Sequence, residues 1–280
     1  MEAIVLNTNL RMRNKIAGAI YGFAIGDAMG ATTEFMSAKQ IQKTYGQVTD
    51  IIGGGWLGLY PGEITDDTQM TMCVMSAIMR KPKDIDKLME YCEKNFIIWV
   101  NSNPKDIGGQ CHKAISNLML GHKVPIDDKA LGNGSLMRAM PLAILNLPFH
   151  NIMQGRITHN NQKCSDIILV YSSLIQDYLN DRKVYKYTNK IKGLLEPSGY
   201  IVNTFNNSVY WSMRDSFEEA IIGAVNHGGD ADTIAAITGS LAGAKFGYNA
   251  IPEKWINQLN PDVKEFLEKF KNFTFSCLQI

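Results

Sequence analysis

Two short acidic segments carry the residues with the clearest potential for chemistry. The first is Thr65-Asp66-Asp67-Thr68, which follows a glycine-rich loop, and the second is Asp230-Ala231-Asp232-Thr233, which follows Gly228-Gly229. Each opens a predicted helix, so capping is one explanation: an N-cap oxygen on Thr65 or Asp230 stabilises a helix by about 1 kcal/mol. A cap needs one acceptor, however, and each segment supplies two carboxylates as well as hydroxyl groups. Capping therefore leaves carboxylates without a role.

If the two helix starts converge, cations are needed to neutralise their carboxylates. Four carboxylates within a few ångströms repel one another or take up protons unless positive ions separate them. Oxygen atoms of Asp and Thr, without His or Cys, select Mg²⁺, Mn²⁺ or Ca²⁺ over zinc. We therefore predict a site for two metal ions, about 3.5–4 Å apart, which orients a substrate diol and polarises a water molecule.

The elements that must position these residues are predicted to be helices. Apolar residues recur at helical spacing, while strand-like alternation is scarce, which predicts an all-α fold. The small-residue stretches 16–31 and 234–247 are predicted to let two helices approach closely at the centre of one core. No domain boundary is evident, so residues 1–280 are predicted to form a single domain. Apolar stripes at helical spacing lie within 16–24 and 72–79. Further helices are predicted near 84–101, 108–120, 165–180, 215–225, 232–247 and 261–271. Loops are predicted at 53–62, 101–109, 132–134 and 197–207.

Composition excludes some classes of partner. The 280 residues include 28 Lys and Arg against 27 Asp and Glu, and this balance argues against a protein that binds duplex DNA or an anionic bilayer. The N-terminal sequence has no apolar run of the length found in signal peptides, and no membrane-spanning segment is expected. The five cysteines form no CxxC pair, which favours buried, inert thiols in a reducing compartment. We therefore expect a cytoplasmic protein without a nucleic-acid or membrane partner.

Several segments resemble the ADP-ribosylglycohydrolase family, in order and in spacing, over about residues 16–257. Within that family the chain is most similar to the branch of dinitrogenase reductase-activating glycohydrolases, because the tract from Asp215 to Thr233 is close to that branch's pattern. The resemblance implies a compact orthogonal helical bundle with two Mg²⁺ or Mn²⁺ ions at the floor of a cleft. The segments that carry it are residues 22–35, 53–70, 106–115, 132–143, 158–161 and 198–247.

The resemblance also assigns roles around the metal ions. It implies that Glu34 is a ligand or general base and that Asp67 and Asp232 are catalytic. Without the resemblance, Glu34 is better explained as a charge beside the start of a helix capped by Ser37. The implied metal ligands are Thr65, Asp66, Asp67, Asp230, Asp232 and Thr233.

Further residues resemble the family's substrate-binding positions. Gly132-Asn133-Gly134-Ser135, at the start of a predicted helix, resembles the loop that binds the diphosphate through backbone N–H groups, although such a segment alone indicates an ordinary turn. Asp106 and Gly108 lie in a neighbouring loop, where Asp106 would contact the distal ribose or the departing guanidinium. His159 resembles a histidine of the ribose and adenine region, and Tyr200 either stacks on adenine or packs in the core. The implied substrate-binding residues are Asp106, Gly108, Gly132, Asn133, Gly134, Ser135, His159 and Tyr200.

Three positions depart from the family's usual pattern. Thr32 and Asn161 stand where proline is frequent, and Asn203 stands where aspartate is common. None is an implied metal ligand. The departures affect the expected shape of the rim, and hence the group attached to the sugar.

The function implied is removal of mono-ADP-ribose from arginine side chains of a modified protein, by a chain expected to be a monomer. Hydrolysis of an N-glycoside needs a placed water and help for the leaving nitrogen. A glycosidase that uses only a carboxylate pair is a competing mechanism, but it would not require two acidic helix starts. The alternatives are a hydrolase of serine-linked or O-acetyl-ADP-ribose, and a non-catalytic ADP-ribose-binding or structural relative. Intact ligands at all six implied positions argue against the non-catalytic alternative.

Overall fold

The computed structural model describes residues 2–280, with side chains described from Asn7 onward, and it confirms the all-α prediction. The described residues contain no β-strand, and three isolated bridges link loops. Two short 3₁₀ helices lie at Asn133–Ser135 and Tyr248–Ala250. The α-helices of the described residues are α1 (Glu2–Gly30), α2 (Ala38–Tyr45), α3 (Asp66–Met79), α4 (Ile85–Asn101), α5 (Gly109–Met119), α6 (Met140–Ile144), α7 (Pro148–Arg156), α8 (Gln162–Leu179), α9 (Tyr185–Thr188), α10 (Ile201–Ser212), α11 (Phe217–His227), α12 (Ala231–Phe246), α13 (Glu253–Gln258) and α14 (Pro261–Leu278).

The predicted helices correspond to α4, α5, α8, α11, α12 and α14, but the predicted loop at 197–207 is wrong beyond residue 200. Helix α10 begins at Ile201, and the asparagines that suggested a loop are used for tertiary contacts. Asn207 accepts a hydrogen bond from the backbone N–H of Leu195 and donates to its carbonyl oxygen. Ile201, Phe205 and Val209, spaced four residues apart, are buried. Tertiary packing therefore overrides the low helix propensity of asparagine.

Helices α1 and α12 lie in very close contact, as the two small-residue stretches predict. Glycines occur at every fourth position of one face of α1, at Gly18, Gly22, Gly26 and Gly30. A β-carbon on Gly26 would overlap the carbonyl oxygen of Ala235, and the other three glycines meet the backbone of α12 in the same way. This contact brings the C-terminal end of α1 beside the first turn of α12.

One hydrophobic core includes residues from Ile16 on α1 to Phe270 on α14. Cys92, Cys111 and Cys164 are buried in or beside it, but Cys277 is exposed, so the prediction of buried thiols is wrong for that residue. The 132–135 segment forms a single 3₁₀ turn and not the start of an α-helix. In the part of the chain that the structure describes, no helix has both the length and the apolarity needed to cross a membrane.

Candidate active site

The start of α3 is capped without the use of its two aspartates. The Thr65 hydroxyl oxygen accepts a hydrogen bond from the backbone N–H of Asp67 at 3.3 Å. The carboxylate of Asp27, which is fully buried on α1, accepts hydrogen bonds from the N–H groups of Thr65 at 3.1 Å and Thr68 at 3.0 Å. Because these groups satisfy the N–H groups of Thr65, Asp67 and Thr68, the side chains of Asp66 and Asp67 remain available to the cleft.

The start of α12 is shaped by a pair of glycines. Gly228 and Gly229 have φ angles of +78° and +66°, and a β-carbon on either would overlap a backbone oxygen. Gly229 exchanges backbone hydrogen bonds with the turn after α1, since its N–H donates to Met36 and its carbonyl accepts from Phe35. The Asp230 side chain makes no capping hydrogen bond and instead accepts from Asn133 Nδ2 and Thr233 Oγ1. Capping therefore does not explain Asp230.

The two helix starts meet in a buried acidic cluster. Glu34, Asp230 and Asp232 place one oxygen each within 4.8 Å of one another, and so do Asp66, Asp67 and Asp232. Asp232 belongs to both groups and therefore lies between them. Thr233 Oγ1 donates to Asp67 Oδ2 at 3.1 Å, which joins the second helix start to the first.

Two oxygens of this cluster have no hydrogen-bond partner. Asp67 Oδ1 and Asp232 Oδ1 are both buried without a donor. Burial raises the pKa of Asp67 well above its ordinary value, and the charges of Asp232 and Asp66 raise it further. Burial likewise raises the pKa of Asp232, with the charge of Glu34 acting in the same direction. Buried polar groups are normally satisfied, so two orphaned carboxylate oxygens fit a cation site.

The donors in the cluster fit hard divalent cations. Both groups consist only of carboxylates, with the hydroxyl of Thr233 beside them. Such oxygen sets suit Mg²⁺, Mn²⁺ or Ca²⁺, and a divalent ion would relieve the like-charge repulsion that raises these pKa values.

Glu34 is held at the rim of the cluster by Trp56, a residue that sequence reasoning missed. Trp56 Nε1 donates to Glu34 Oε2 at 2.6 Å, and the Trp56 ring lies 5.4 Å from that of Phe35. Burial raises the pKa of Glu34 to about 8, although the hydrogen bond from Trp56 acts in the opposite direction. The contact fixes one carboxylate oxygen of Glu34 and leaves the other free.

The cluster forms the floor of a cleft of about 360 Å³. Gly108, whose N–H donates to Asp66 Oδ2 at 3.4 Å, lies on its wall together with Asp106. Asn133, Gly134 and His159 line the same cleft. A pocket of this size, with convergent polar groups, suits a small ligand.

Three predicted site residues do not present side chains to this cleft. The Thr65 hydroxyl caps α3, and the Ser135 side chain is fully buried with its hydroxyl unpartnered. Tyr200 lies at the cleft's edge, where its backbone bridges to Gly132, but its side chain is 37% exposed and not part of the lining.

The three residues that depart from the family's pattern have structural roles. The Thr32 hydroxyl donates to the Gly53 carbonyl oxygen at 2.9 Å and ties the glycine-rich loop to the end of α1. Asn161 caps α8 by accepting from the N–H groups of Lys163 and Cys164. Asn203 donates to the Ser198 hydroxyl at 3.2 Å.

Asp27 and Arg138 also escaped sequence reasoning. A signal for Asp27 existed, because it is the single carboxylate within the small and apolar stretch 16–31. Arg138 is fully buried behind the 132–135 loop, and a signal existed here too, because it is the single charged residue in the apolar run 136–145.

Comparison with known proteins identifies the family of the sequence. The sequence matches the ADP-ribosylglycohydrolase family over residues 8–275. It is 33% identical to the glycohydrolase of ADP-ribosyl-dinitrogen reductase from Rhodospirillum rubrum, covering 94% of this chain and 96% of that one. It is 29% identical to an ADP-ribosylarginine hydrolase of Serratia proteamaculans, covering 88% of this chain and 75% of the relative.

A solved structure agrees as well. The chain of an ADP-ribosylglycohydrolase-related protein complex superimposes with a TM-score of 0.76 at 25% identity, covering 96% of this chain and 98% of that one. The two acidic helix starts, their shared cleft and this full-length similarity lead to one conclusion: the chain belongs to the ADP-ribosylglycohydrolase family.

Proposed function

We propose that this protein is a metal-dependent hydrolase that cleaves the N-glycosidic bond between ADP-ribose and protein arginine. The observation that carries the proposal is the pair of three-carboxylate groups that share Asp232, with two orphaned oxygens between the helix starts. The names of two relatives, which act on ADP-ribosyl-dinitrogen reductase and on ADP-ribosylarginine, support the substrate class.

The proposed cofactor is two Mg²⁺ or Mn²⁺ ions. The proposed ligands are Asp66, Asp67, Asp230, Asp232 and Thr233, with Glu34 and Thr65 as further candidates. When bound, such ions supply electrostatic stabilisation and fix the positions of oxygen ligands. The two carboxylate groups suit one ion each, with Asp232 between them. Thr65 is the weakest member of the set, because its hydroxyl caps α3.

Side chains of the cleft would activate the water and bind the substrate. Glu34, restrained by Trp56, is the proposed base that directs water at the anomeric carbon. Asp106, which also lines the cleft, has a raised pKa because it is half-buried, and it would contact the departing guanidinium or the distal ribose. The 132–135 loop and His159 are the proposed site for the diphosphate and the adenine-side ribose. Tyr200, whose backbone bridges to Gly132, is the residue proposed to stack on the adenine.

The activity is tested with a panel of linkages. The full chain, with Mg²⁺ or Mn²⁺, is incubated with arginine-linked, serine-linked and O-acetyl-ADP-ribose, and released ADP-ribose is separated by chromatography. We expect metal-dependent release from the arginine linkage, and none in EDTA. Release from another linkage alone would contradict the arginine proposal. Tight ADP-ribose binding without turnover on any substrate would indicate a non-catalytic binding protein.

Removal of the Trp56 hydrogen bond should slow the reaction. In Trp56→Phe a smaller aromatic ring replaces the indole and the donor to Glu34 is lost, so we expect kcat to fall about tenfold, which corresponds to one hydrogen bond to a carboxylate. Steady-state kinetics on ADP-ribosyl-arginine measures the change. Tyr60→Phe is the matched control, since Tyr60 is exposed on the same loop and does not contact Glu34. Equal kcat values in both variants would show that the Trp56 contact does not orient Glu34 for catalysis.

We further propose that residues 1–280 form one domain and act as a monomer in the cytoplasm, with an ADP-ribosylated protein as the partner. The shared core from α1 to α14 supports a single domain. Five free cysteines support a reducing compartment.

A further inference from the structure

Arg138 is a fully buried cation whose hydrogen-bond partners are all neutral. Its Nε donates to Gln154 Oε1 at 2.8 Å, and its Nη1 donates to the carbonyl oxygen of Gly134 at 2.7 Å. Its Nη2 donates to the Gln154 carbonyl oxygen and, at 2.8 Å, to Thr158 Oγ1. No carboxylate among the described side chains forms an ion pair with it. Phe96 lies against the guanidinium, with 4.7 Å between the Arg138 Cζ and the ring centroid.

An uncompensated buried charge lowers the stability of the fold, so its presence suggests a functional role. The one sulfur partner, Cys111 Sγ, is a neutral thiol because burial raises its pKa. The positive charge therefore stays unpaired, directly behind the cleft wall that contains Gly134. Arg138 is connected to the cleft through Thr158, which contacts both Arg138 and His159.

The Thr158 hydroxyl connects Arg138 to His159 through two hydrogen bonds, and the direction of the first is fixed. An arginine side chain can only donate hydrogen bonds, so Thr158 Oγ1 accepts from Nη2. Thr158 Oγ1 and His159 Nδ1 are 2.8 Å apart. A hydroxyl that accepts from a cation is polarised as a donor, which favours donation of its proton to Nδ1. Nδ1 is then the acceptor, and the ring proton is carried by Nε2.

The Nε2 edge of His159 faces the glycine loop. A β-carbon on Gly132 would lie 3.1 Å from Nε2, and one on Gly134 would lie 2.9 Å from Cε1. His159 is buried, lines the cleft, and is neutral, because burial and the charge of Arg138 lower its pKa to about 3. A neutral ring at this position can offer one N–H to a ligand.

We propose that Arg138 and Thr158 are positioning residues that hold His159 in its Nε2–H tautomer, so that this N–H donates to a phosphate oxygen of bound ADP-ribose. The identity of the ligand rests on the proposed function, whereas the tautomer is a property of the unliganded chain. The bound phosphate would then be separated from the Arg138 guanidinium by the glycine loop. Its negative charge would partly compensate the unpaired charge of Arg138.

The test uses Thr158→Val, because replacement of the buried Arg138 would leave several neutral partners unsatisfied and risk unfolding. Valine keeps the shape of threonine and removes the hydroxyl, while Thr158→Ser restores a hydroxyl and is the matched control. The full chain is labelled with ¹⁵N-histidine, and His159→Asn identifies the His159 signals among the five histidines. Nitrogen–proton correlation spectra show which ring nitrogen carries the proton.

We expect the proton on Nε2 in the wild-type chain and in Thr158→Ser, and a mixture of tautomers in Thr158→Val. Calorimetric titration with ADP-ribose should give a Kd about tenfold weaker in Thr158→Val than in Thr158→Ser. Where turnover is measured, KM should rise with kcat nearly unchanged, because the contact is present in ground state and transition state alike.

The outcomes separate this inference from the proposed reaction. A proton on Nδ1 in the wild-type chain overturns the inference, and so does an unchanged tautomer and Kd in a folded Thr158→Val protein. Failure to bind ADP-ribose overturns the assigned ligand. If the tautomer and Kd respond as expected but no linkage is hydrolysed, the inference stands and the proposed reaction fails.

Discussion

Asp67→Asn and Asp232→Asn, made one at a time, should each lower metal-dependent release of ADP-ribose by about 10³-fold or more. The two carboxylates provide the orphaned oxygens of the cluster, and Asp232 belongs to both carboxylate groups. An amide keeps the shape of the side chain but carries no charge, so it binds Mg²⁺ or Mn²⁺ much less tightly. Losing one preorganised electrostatic group costs about 10²–10³-fold in rate, and losing an ion as well adds to this.

Thermal unfolding should separate metal binding from folding in these variants. We expect Mg²⁺ or Mn²⁺ to raise the unfolding midpoint of the wild-type protein and to leave that of both variants almost unchanged, because binding to the folded state stabilises it. In EDTA the variants should unfold within about 4 °C of the wild type, since this shift corresponds to about 1 kcal/mol in a large domain. The amide removes like-charge repulsion. It also keeps one oxygen as an acceptor, so the orphaned oxygen of each carboxylate can be replaced without breaking a hydrogen bond.

Asp262→Asn is the matched control, because Asp262 also lies in the first turn of a helix but is exposed on α14. It should leave both the metal-induced shift and the rate at wild-type values. If Asp67→Asn and Asp232→Asn behave like Asp262→Asn, the two carboxylates merely favour the helix starts, and the metal proposal is wrong.

Gly26→Val should strongly destabilise the contact between α1 and α12. The two helices are in backbone contact at this position, and the valine side chain has no space beside the carbonyl oxygen of Ala235. Because neither backbone is free to rotate away, the helices must separate along their length. We expect a loss of about 3 kcal/mol or more in the free energy of unfolding, at the upper end of overpacking effects.

Calorimetry should therefore show a midpoint about 5–10 °C below that of the wild type. The metal-induced shift should also shrink, since α1 carries Asp27 and α12 carries Asp232. Gly193→Val is the control, because a β-carbon there meets no atom within 4 Å. If the two variants show equal midpoints, the close approach of α1 and α12 is not required for stability.

Much of the site was predictable from local sequence, for a physical reason. The carboxylates of Asp66, Asp67, Asp230 and Asp232 exceed what helix capping requires, and that excess is visible without coordinates. The structure adds that Asp27 provides the missing caps for α3, which is a long-range contact between residues 27 and 65–68. No local pattern identifies such a contact, although the isolated carboxylate in a small-residue helix was a signal that something was needed there.

Secondary structure was harder to predict where tertiary contacts replace local preference. The asparagines between residues 203 and 207 have low helix propensity and suggested a loop. In the fold, Asn207 binds the backbone of Leu195, and its neighbours form α10. Helix propensity is a weak effect per residue, so a few such contacts outweigh it.

The chemistry of the protein and its geometry thus have different origins. Residue types alone specify an all-α fold, hard oxygen donors at two helix starts and a small-residue seam between two helices. The convergence of those starts on Asp232, the restraint of Glu34 by Trp56, and the hydrogen-bonded chain from Arg138 through Thr158 to His159 depend on tertiary contacts. Such contacts form only when the chain folds and closes long loops, which costs entropy. Local sequence patterns therefore do not predict them.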